Sequence, residues 1–103
     1  MTIVVTLTTL PSEKAKDFAY SLVQSKMAAC VNIVPKILSV YGFKGEIQEE
    51  EEALLVVKSA VEKHDALRAF IEEQHPYDVP EILWFSDVNA SKSYRDFVRD
   101  WVL

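Results

Sequence analysis

Hydrophobic residues recur at two different periods along this chain, and the switches between them mark out its elements. Residues Ile3-Val4-Val5-Thr6-Leu7-Thr8-Thr9 are apolar or β-branched on both parities, the pattern of a strand covered on both faces. Pro11-Ser12 ends that run, with Ser12 placed to cap a helix and Glu13 to favour its first turn. Ala15, Phe18, Ala19, Leu22 and Val23 then fall at i, i+3, i+4, i+7 and i+8. That spacing is the apolar stripe of an amphipathic helix, ending near Met27.

A second strand, Ala29-Cys30-Val31-Asn32-Ile33-Val34, meets Pro35, which predicts an edge position or a bend. Beyond it Tyr41, Phe43 and Ile47 share one parity through Gly42 and Gly45. Gly42-Phe43-Lys44-Gly45 is turn-like, but Ile47 is better explained if the strand runs on. The turn is therefore expected in Gln48-Glu49-Glu50-Glu51, with Gly45 as a bulge or close-approach site. Ala53-Leu54-Leu55-Val56-Val57-Lys58 forms the return strand. Ser59-Ala60-Val61-Glu62 reads as a capping box opening a helix whose core face is Leu67, Phe70 and Ile71 and which ends before His75-Pro76. Pro80-Glu81-Ile82-Leu83-Trp84-Phe85 is a fourth strand, and Tyr94, Phe97, Val98 and Trp101 stripe a final helix.

The order βαββαβ plus an extra C-terminal helix predicts an α+β, ferredoxin-like split βαβ sandwich, with helices on one face of an antiparallel sheet. It reads as a single domain over residues 1–103. The central hairpin is long for so small a core: at roughly 3.3 Å per residue it runs well past it. A hairpin exposing Tyr41 and Phe43 needs cover, and another subunit is the economical source.

Composition narrows the class. The 103 residues are 50% hydrophobic, enough for one core of the usual size, about 100–150 residues. Sixteen acids against 11 Lys and Arg give a formal net charge of −5, which argues against nucleic acid, whose phosphates need neutralising cations. The lone Cys30 makes no disulfide within the chain, and a cytoplasmic setting is the expectation. No basic segment precedes Ile3-Val4-Val5, so no signal peptide is read there. No apolar run reaches the ~20 residues of a membrane span.

Most catalytic motifs are missing. The chain has no phosphate loop, no Gly-x-Gly-x-x-Gly, no His-Glu-x-x-His and no paired cysteine ligands. A ferredoxin-like acylphosphatase needs an Arg near its first strand, and none precedes Arg68. Gly42-Phe43-Lys44-Gly45 has the spacing of a KH clamp but sits in a strand beside glutamates, not between helices in a basic setting. Glu49–Glu52 could chelate a hard cation, although a solvated hairpin tip accounts for them as well. Cys30 reads as a small buried residue, and His64, beside Asp65, as solvated. His75-Pro76-Tyr77-Asp78-Val79-Pro80-Glu81 stands apart: two prolines fix the backbone around an imidazole, a phenol and a carboxylate within seven residues. Rigid placement of polar groups suits a binding site, while helix termination and core capping would explain the same residues.

Ala29-Cys30-Val31-Asn32-Ile33-Val34-Pro35, then Ser39-x-Tyr41-x-Phe43-x-Gly45-x-Ile47, Glu52, Lys58, His75-Pro76-Tyr77 and Pro80-Glu81 together resemble the CutA divalent-cation tolerance family over nearly the whole chain. The resemblance implies a ferredoxin-like homotrimer joined through its long central hairpins, associated with tolerance of copper and other divalent metals and with no established enzymatic activity. It implies an inter-subunit pocket lined by Tyr41, Phe43, Glu52, Lys58, His75, Tyr77 and Glu81. The family usually has Trp at the positions of Phe43 and Phe97 and Gly at that of Ala90. Some members carry Cys where this chain has Thr8, so a soft copper(I) site is not supported here.

The expectation that follows is a cytoplasmic trimer binding divalent metal ions, copper foremost, with His75, Glu52 and Glu81 as ligands and no cofactor required for any reaction. Lys58 motivates an alternative, because an ammonium repels a metal ion. In that alternative, a sensor or scaffold like the PII signalling trimers takes a small anionic effector, with Lys58 pairing its charge and Tyr41, Phe43 and Tyr77 shaping the cleft. Neither reading involves nucleic acid, a membrane or a catalytic residue.

Overall fold

A computed structural model describes all of residues 1–103. Strand β1 spans Ile3–Leu10, helix α1 Ser12–Gln24, β2 Cys30–Phe43, β3 Glu46–Ala60, α2 His64–Gln74, β4 Leu83–Val88 and α3 Lys92–Val102. The sheet order is β2-β3-β1-β4, and every neighbouring pair is antiparallel. This is the split βαβ arrangement, in which β3 inserts between β1 and the strand α1 leads to.

β1 alternates as its sequence asks. Val4, Thr6, Thr8 and Leu10 are almost fully buried, whereas Val5, Leu7 and Thr9 are half-buried. The first set faces α1 and α2, where Leu10, Ala15, Phe18, Leu22, Leu55, Val57, Leu67 and Ile71 close the main core. The helices are not all on one face. Val98 and Val102 of α3 pack with Ile3, Ala29 and Ala60 in a second, smaller cluster, covering one end of the opposite face. Leu83 and Phe85, cross-strand from Leu7 and Val5, remain more than half exposed on that face.

Helix α1 ends in a Schellman motif. Met27 donates to the Leu22 carbonyl at 3.0 Å and Lys26 to Val23 at 3.1 Å, with Lys26 in the left-handed region at φ 65°. Trp101 of α3 donates its indole N–H to the Val23 carbonyl at 3.0 Å, and the Lys26 ammonium sits 3.0 Å from its ring centroid. The C-terminal helix is thereby tied to the end of the first one.

Several local expectations are corrected. The hairpin turns at Lys44-Gly45, not in Gln48–Glu51. Both turn residues have positive φ, 51° and 79°, and Phe43 pairs with Glu46, as in a two-residue type I′ hairpin. Gly45 is thus a turn residue, and Ile47, the reason for extending the strand, is 82% exposed. The acidic run lies inside β3, with Glu49, Glu50, Glu51 and Glu52 opposite Val40, Ser39, Leu38 and Ile37. The bulge falls instead between Val34 and Ile37, where Pro35 withholds an N–H and Lys36 adopts φ 55°; β2 is also a sheet edge.

Ser59 caps nothing. It is buried in β3 and donates to the Met27 carbonyl at 2.6 Å, while a 3-10 turn, Val61–Lys63, leads into α2. Ser12 lies inside the first turn of α1, and Pro11 occupies the cap position with no side-chain bond. β4 begins three residues later than Pro80. His64 is buried, 8% exposed, its ring 4.8 Å from that of Trp84; burial holds its pKa below the ordinary imidazole value.

Candidate functional site: a carboxylate-lined cleft beneath the hairpin

On β2 and β3 the register sets Ser39 opposite Glu50 and Tyr41 opposite Gln48. Cross-strand partners share a face and a strand alternates with period 2, so Ser39, Tyr41, Phe43, Glu50 and Glu52 project to one side of the hairpin. The segment after α2 brings Tyr77, Asp78, Val79, Pro80 and Glu81 against that side. Between them lies a cleft of about 710 Å³, completed by Thr9 at the end of β1.

Of the residues singled out from the sequence, Tyr41, Phe43, Glu52, Tyr77 and Glu81 line this cleft. Lys58 and His75 do not. Lys58 is six residues from Glu52 along β3, roughly 20 Å at the rise of a strand, where its ammonium donates to the Asn32 side chain and the Val56 carbonyl. His75 stands behind the wall, 8% exposed. Glu50 and Asp78, within the acidic run and the His75–Glu81 segment but not among the expected pocket residues, also line it. The sequence signal for Glu50 is its i−2 spacing from Glu52, hidden once the acidic run was assigned to a turn; nothing local marks Asp78 as facing inward.

The cleft's polar groups are held in a short chain of hydrogen bonds. Glu52 is 5% exposed, and the Tyr77 hydroxyl donates to its Oε1 at 2.7 Å. Burial, then that bond and the charge of Glu52, push the Tyr77 phenol far above its ordinary pKa, so it stays a donor. Hydrogen bonding to Glu50 raises the Tyr41 phenol in the same direction. The Tyr77 backbone N–H donates to His75 Nδ1 at 3.1 Å, and His75 Nε2 lies 2.8 Å from the Thr9 carbonyl oxygen. A carbonyl only accepts and an N–H only donates, so the imidazole is the neutral Nε2–H tautomer. Burial depresses its pKa, against smaller opposing effects of Thr9 and Glu52.

Glu50, Glu52, Asp78 and Glu81 give the cleft four carboxylates, and no Lys or Arg lines it. No group of three or more His, Cys, Asp and Glu side chains within the chain is arranged around one point. A metal ion in this cleft needs oxygen ligands from elsewhere, water or a second chain, in addition to these.

A family model for the CutA1 divalent ion tolerance protein matches residues 3–101. The chain belongs to the CutA1 divalent ion tolerance family. The Divalent-cation tolerance protein CutA of Thermus thermophilus is 40% identical over 97 residues, 93% of this chain and 94% of that protein. Human Protein CutA is 38% identical over 92 residues, 88% of this chain. This chain spans about half the length of the human and Arabidopsis relatives, 51% and 54%. Among solved structures, CutA1 of Ehrlichia chaffeensis superposes with a TM-score of 0.93 at 30% identity, covering 99% of this chain and 96% of that one. A PII-like protein CutA from Nostoc, in its apo form, gives 0.91 at 34%, covering 97% of each. These CutA1 neighbours establish the ferredoxin-like fold. No helix here is long and apolar enough to cross a membrane.

Proposed function

We propose that this CutA-family chain works as a homotrimer whose clefts bind divalent metal ions, copper foremost, in support of metal tolerance. One observation carries the reading: four carboxylates line a cleft that no Lys or Arg side chain lines, so the local field favours a cation. Oxygen ligands suit copper(II) or harder divalent ions better than copper(I). Glu52 and Glu81 are its ligands from this chain.

The sheet supports such an assembly. Its two edges, β2 and β4, are unlike, and unlike edges pair head to tail, a contact that makes a closed ring when the rotation permits. Leu38, Val40, Tyr41, Phe43 and Ile47 of the hairpin and Leu83 and Phe85 of β4 are exposed in the isolated chain, and a neighbour would cover them. The setting is the cytoplasm, consistent with an unpaired Cys30, although relatives named chloroplastic or periplasmic exist. The protein acts by binding rather than by catalysis.

Lys58 favours a second reading. It lies on the incompletely covered face of the sheet, and a neighbour's Lys58 delivered to the cleft would suit a small anionic effector, as in a PII-like sensor. Calorimetry with copper(II) on the wild-type protein and on Glu52→Gln and Glu81→Gln separates the two. Binding lost in both carboxylate variants and kept in Lys58→Ala supports the metal reading; no signal from wild type, or equal binding by all variants, overturns it.

A further inference from the structure

We infer that His75 is the residue that positions the cation cleft and not one of its ligands. Resting on the metal reading above, the inference assigns His75 and Tyr77 their roles in it. A ligating imidazole must present an unprotonated nitrogen to the metal. In His75 that nitrogen is Nδ1, and it already accepts the Tyr77 backbone N–H at 3.1 Å. The other, Nε2, carries its proton toward the Thr9 carbonyl at 2.8 Å. Coordination through either atom strands a backbone group in a site where the imidazole is 8% exposed, leaving a buried polar group unpaired.

What the imidazole does instead is visible along the chain of bonds. It ties the last residues of β1 to the segment leaving α2, with its ring stacked at a tilt 4.8 Å from the Tyr77 ring and edge-on to Phe18 at 6.0 Å. Tyr77 is thereby fixed at both ends, backbone to His75 and hydroxyl to Glu52 Oε1. A carboxylate as buried as Glu52 needs such a donor to satisfy it and keep it aimed. One oxygen is held by Tyr77, and the carboxylate's remaining lone pairs are left for the cation. Partners that orient a ligand in this way are typically worth about 10–100-fold in metal affinity.

Glutamine discriminates positioning from ligation. Its amide has a donor and an acceptor at nearly the spacing of the two ring nitrogens, so His75→Gln keeps both bonds but lacks a metal-binding imidazole. With copper(II) alone as the calorimetric probe, His75→Gln should bind within about threefold of wild type. Tyr77→Phe and His75→Leu should each lose about 10–100-fold. Nitrogen-15 spectra of the imidazole should show a protonated Nε2 and a bare Nδ1, with both resonances staying in place when zinc, a diamagnetic substitute, is added. Binding lost in His75→Gln with the fold intact, or an Nδ1 resonance displaced by zinc, overturns the inference.

If wild type binds neither metal, the metal reading fails by itself and amide exchange at Tyr77 decides the positioning role. Faster exchange in His75→Leu than in His75→Gln supports it, and equal exchange overturns it.

Discussion

The two halves of the β2–β3 hairpin share one pairing and differ in composition and surroundings: β3 reads Glu46-Ile47-Gln48-Glu49-Glu50-Glu51 at the tip and Ala53-Leu54-Leu55-Val56-Val57 at the base. At the base, Ala53, Leu55, Val57 and Ser59 are almost fully buried beneath α1 and α2. Toward the tip, Glu46, Ile47, Glu49, Glu50 and Glu51 are exposed, as are Leu38, Val40, Tyr41 and Phe43 opposite them. The same ladder of backbone hydrogen bonds runs through both. Backbone pairing alone therefore does not make a core: the base is held by helices laid across it, whereas the tip reaches beyond them and gives the molecule its 45 × 24 × 22 Å outline. A paired two-stranded ribbon is marginal without cover. The tip carries half of the cleft, so whatever covers it also organises the site.

Four measurements press on that contrast. The largest effect is expected at the tip, on assembly. Light scattering of the wild type should give three times the chain mass, and Val40→Asp with Tyr41→Asp, one on each hairpin face, should reduce it to a single chain. A wild-type monomer, or an unaffected trimer in the double variant, breaks the claim that the tip is an interface.

At the base, Leu55→Ala should lower the free energy of unfolding by about 2–5 kcal/mol, read from urea denaturation, because it opens a cavity in the main core. Leu38→Ala, at a site 66% exposed, should cost the isolated chain under about 0.5 kcal/mol. Comparable losses at both sites would erase the distinction.

The turn itself is a smaller contribution. Gly45→Ala puts a β-carbon on a residue at φ 79°, and since no atom lies within 4 Å of that position the penalty is conformational, about 1–2 kcal/mol. Lys44→Gly should shift the midpoint slightly the other way.

The smallest effect concerns pH and the covered face. His64 is buried against Trp84, with neither ring nitrogen hydrogen-bonded. Burial first, then Arg68, lowers its folded pKa, with Asp65 opposing. The unfolded chain therefore takes up a proton at a higher pH than the folded one. The stability associated with the neutral ring is complete above the ordinary value of 6.5 and falls as pH drops below it. His64→Phe should flatten the decline in melting temperature between neutral and mildly acidic pH relative to wild type; an identical slope counts against the assignment.

Much of this was legible in the residues. The i, i+3, i+4 stripes located all three helices because an amphipathic helix has one buried face and Ala15, Phe18, Leu22, Leu67 and Ile71 mark it. Pro35 pointed to an edge or a bend, since it withholds a ladder donor wherever it sits, and β2 has both. The His75–Glu81 segment was recognisable as a rigid presentation of polar groups. The hairpin turn lies elsewhere than the sequence predicts because that expectation buries Ile47, and Ile47 is 82% exposed beside the tip. Ser59 and Ser12 look like caps by spacing, but a hydroxyl takes whichever partner the packing offers, and for Ser59 that is the Met27 carbonyl, 32 residues away. His64 beside Asp65 gave no hint of burial, because what buries it, Trp84, comes from another element.

The sequence by itself determined the elements, their order, the acidic balance and the aromatic and carboxylate residues from which a cleft could be made. These depend on local periodicity and side-chain chemistry, which act over a few residues. Only the tertiary structure decided that Glu50 and Asp78 join the cleft, that Lys58 stands roughly 20 Å along the strand from it, and that both nitrogens of His75 are already engaged. Those outcomes depend on register and long-range hydrogen bonds, which are set when distant segments pack together and leave no mark in any one stretch of the chain.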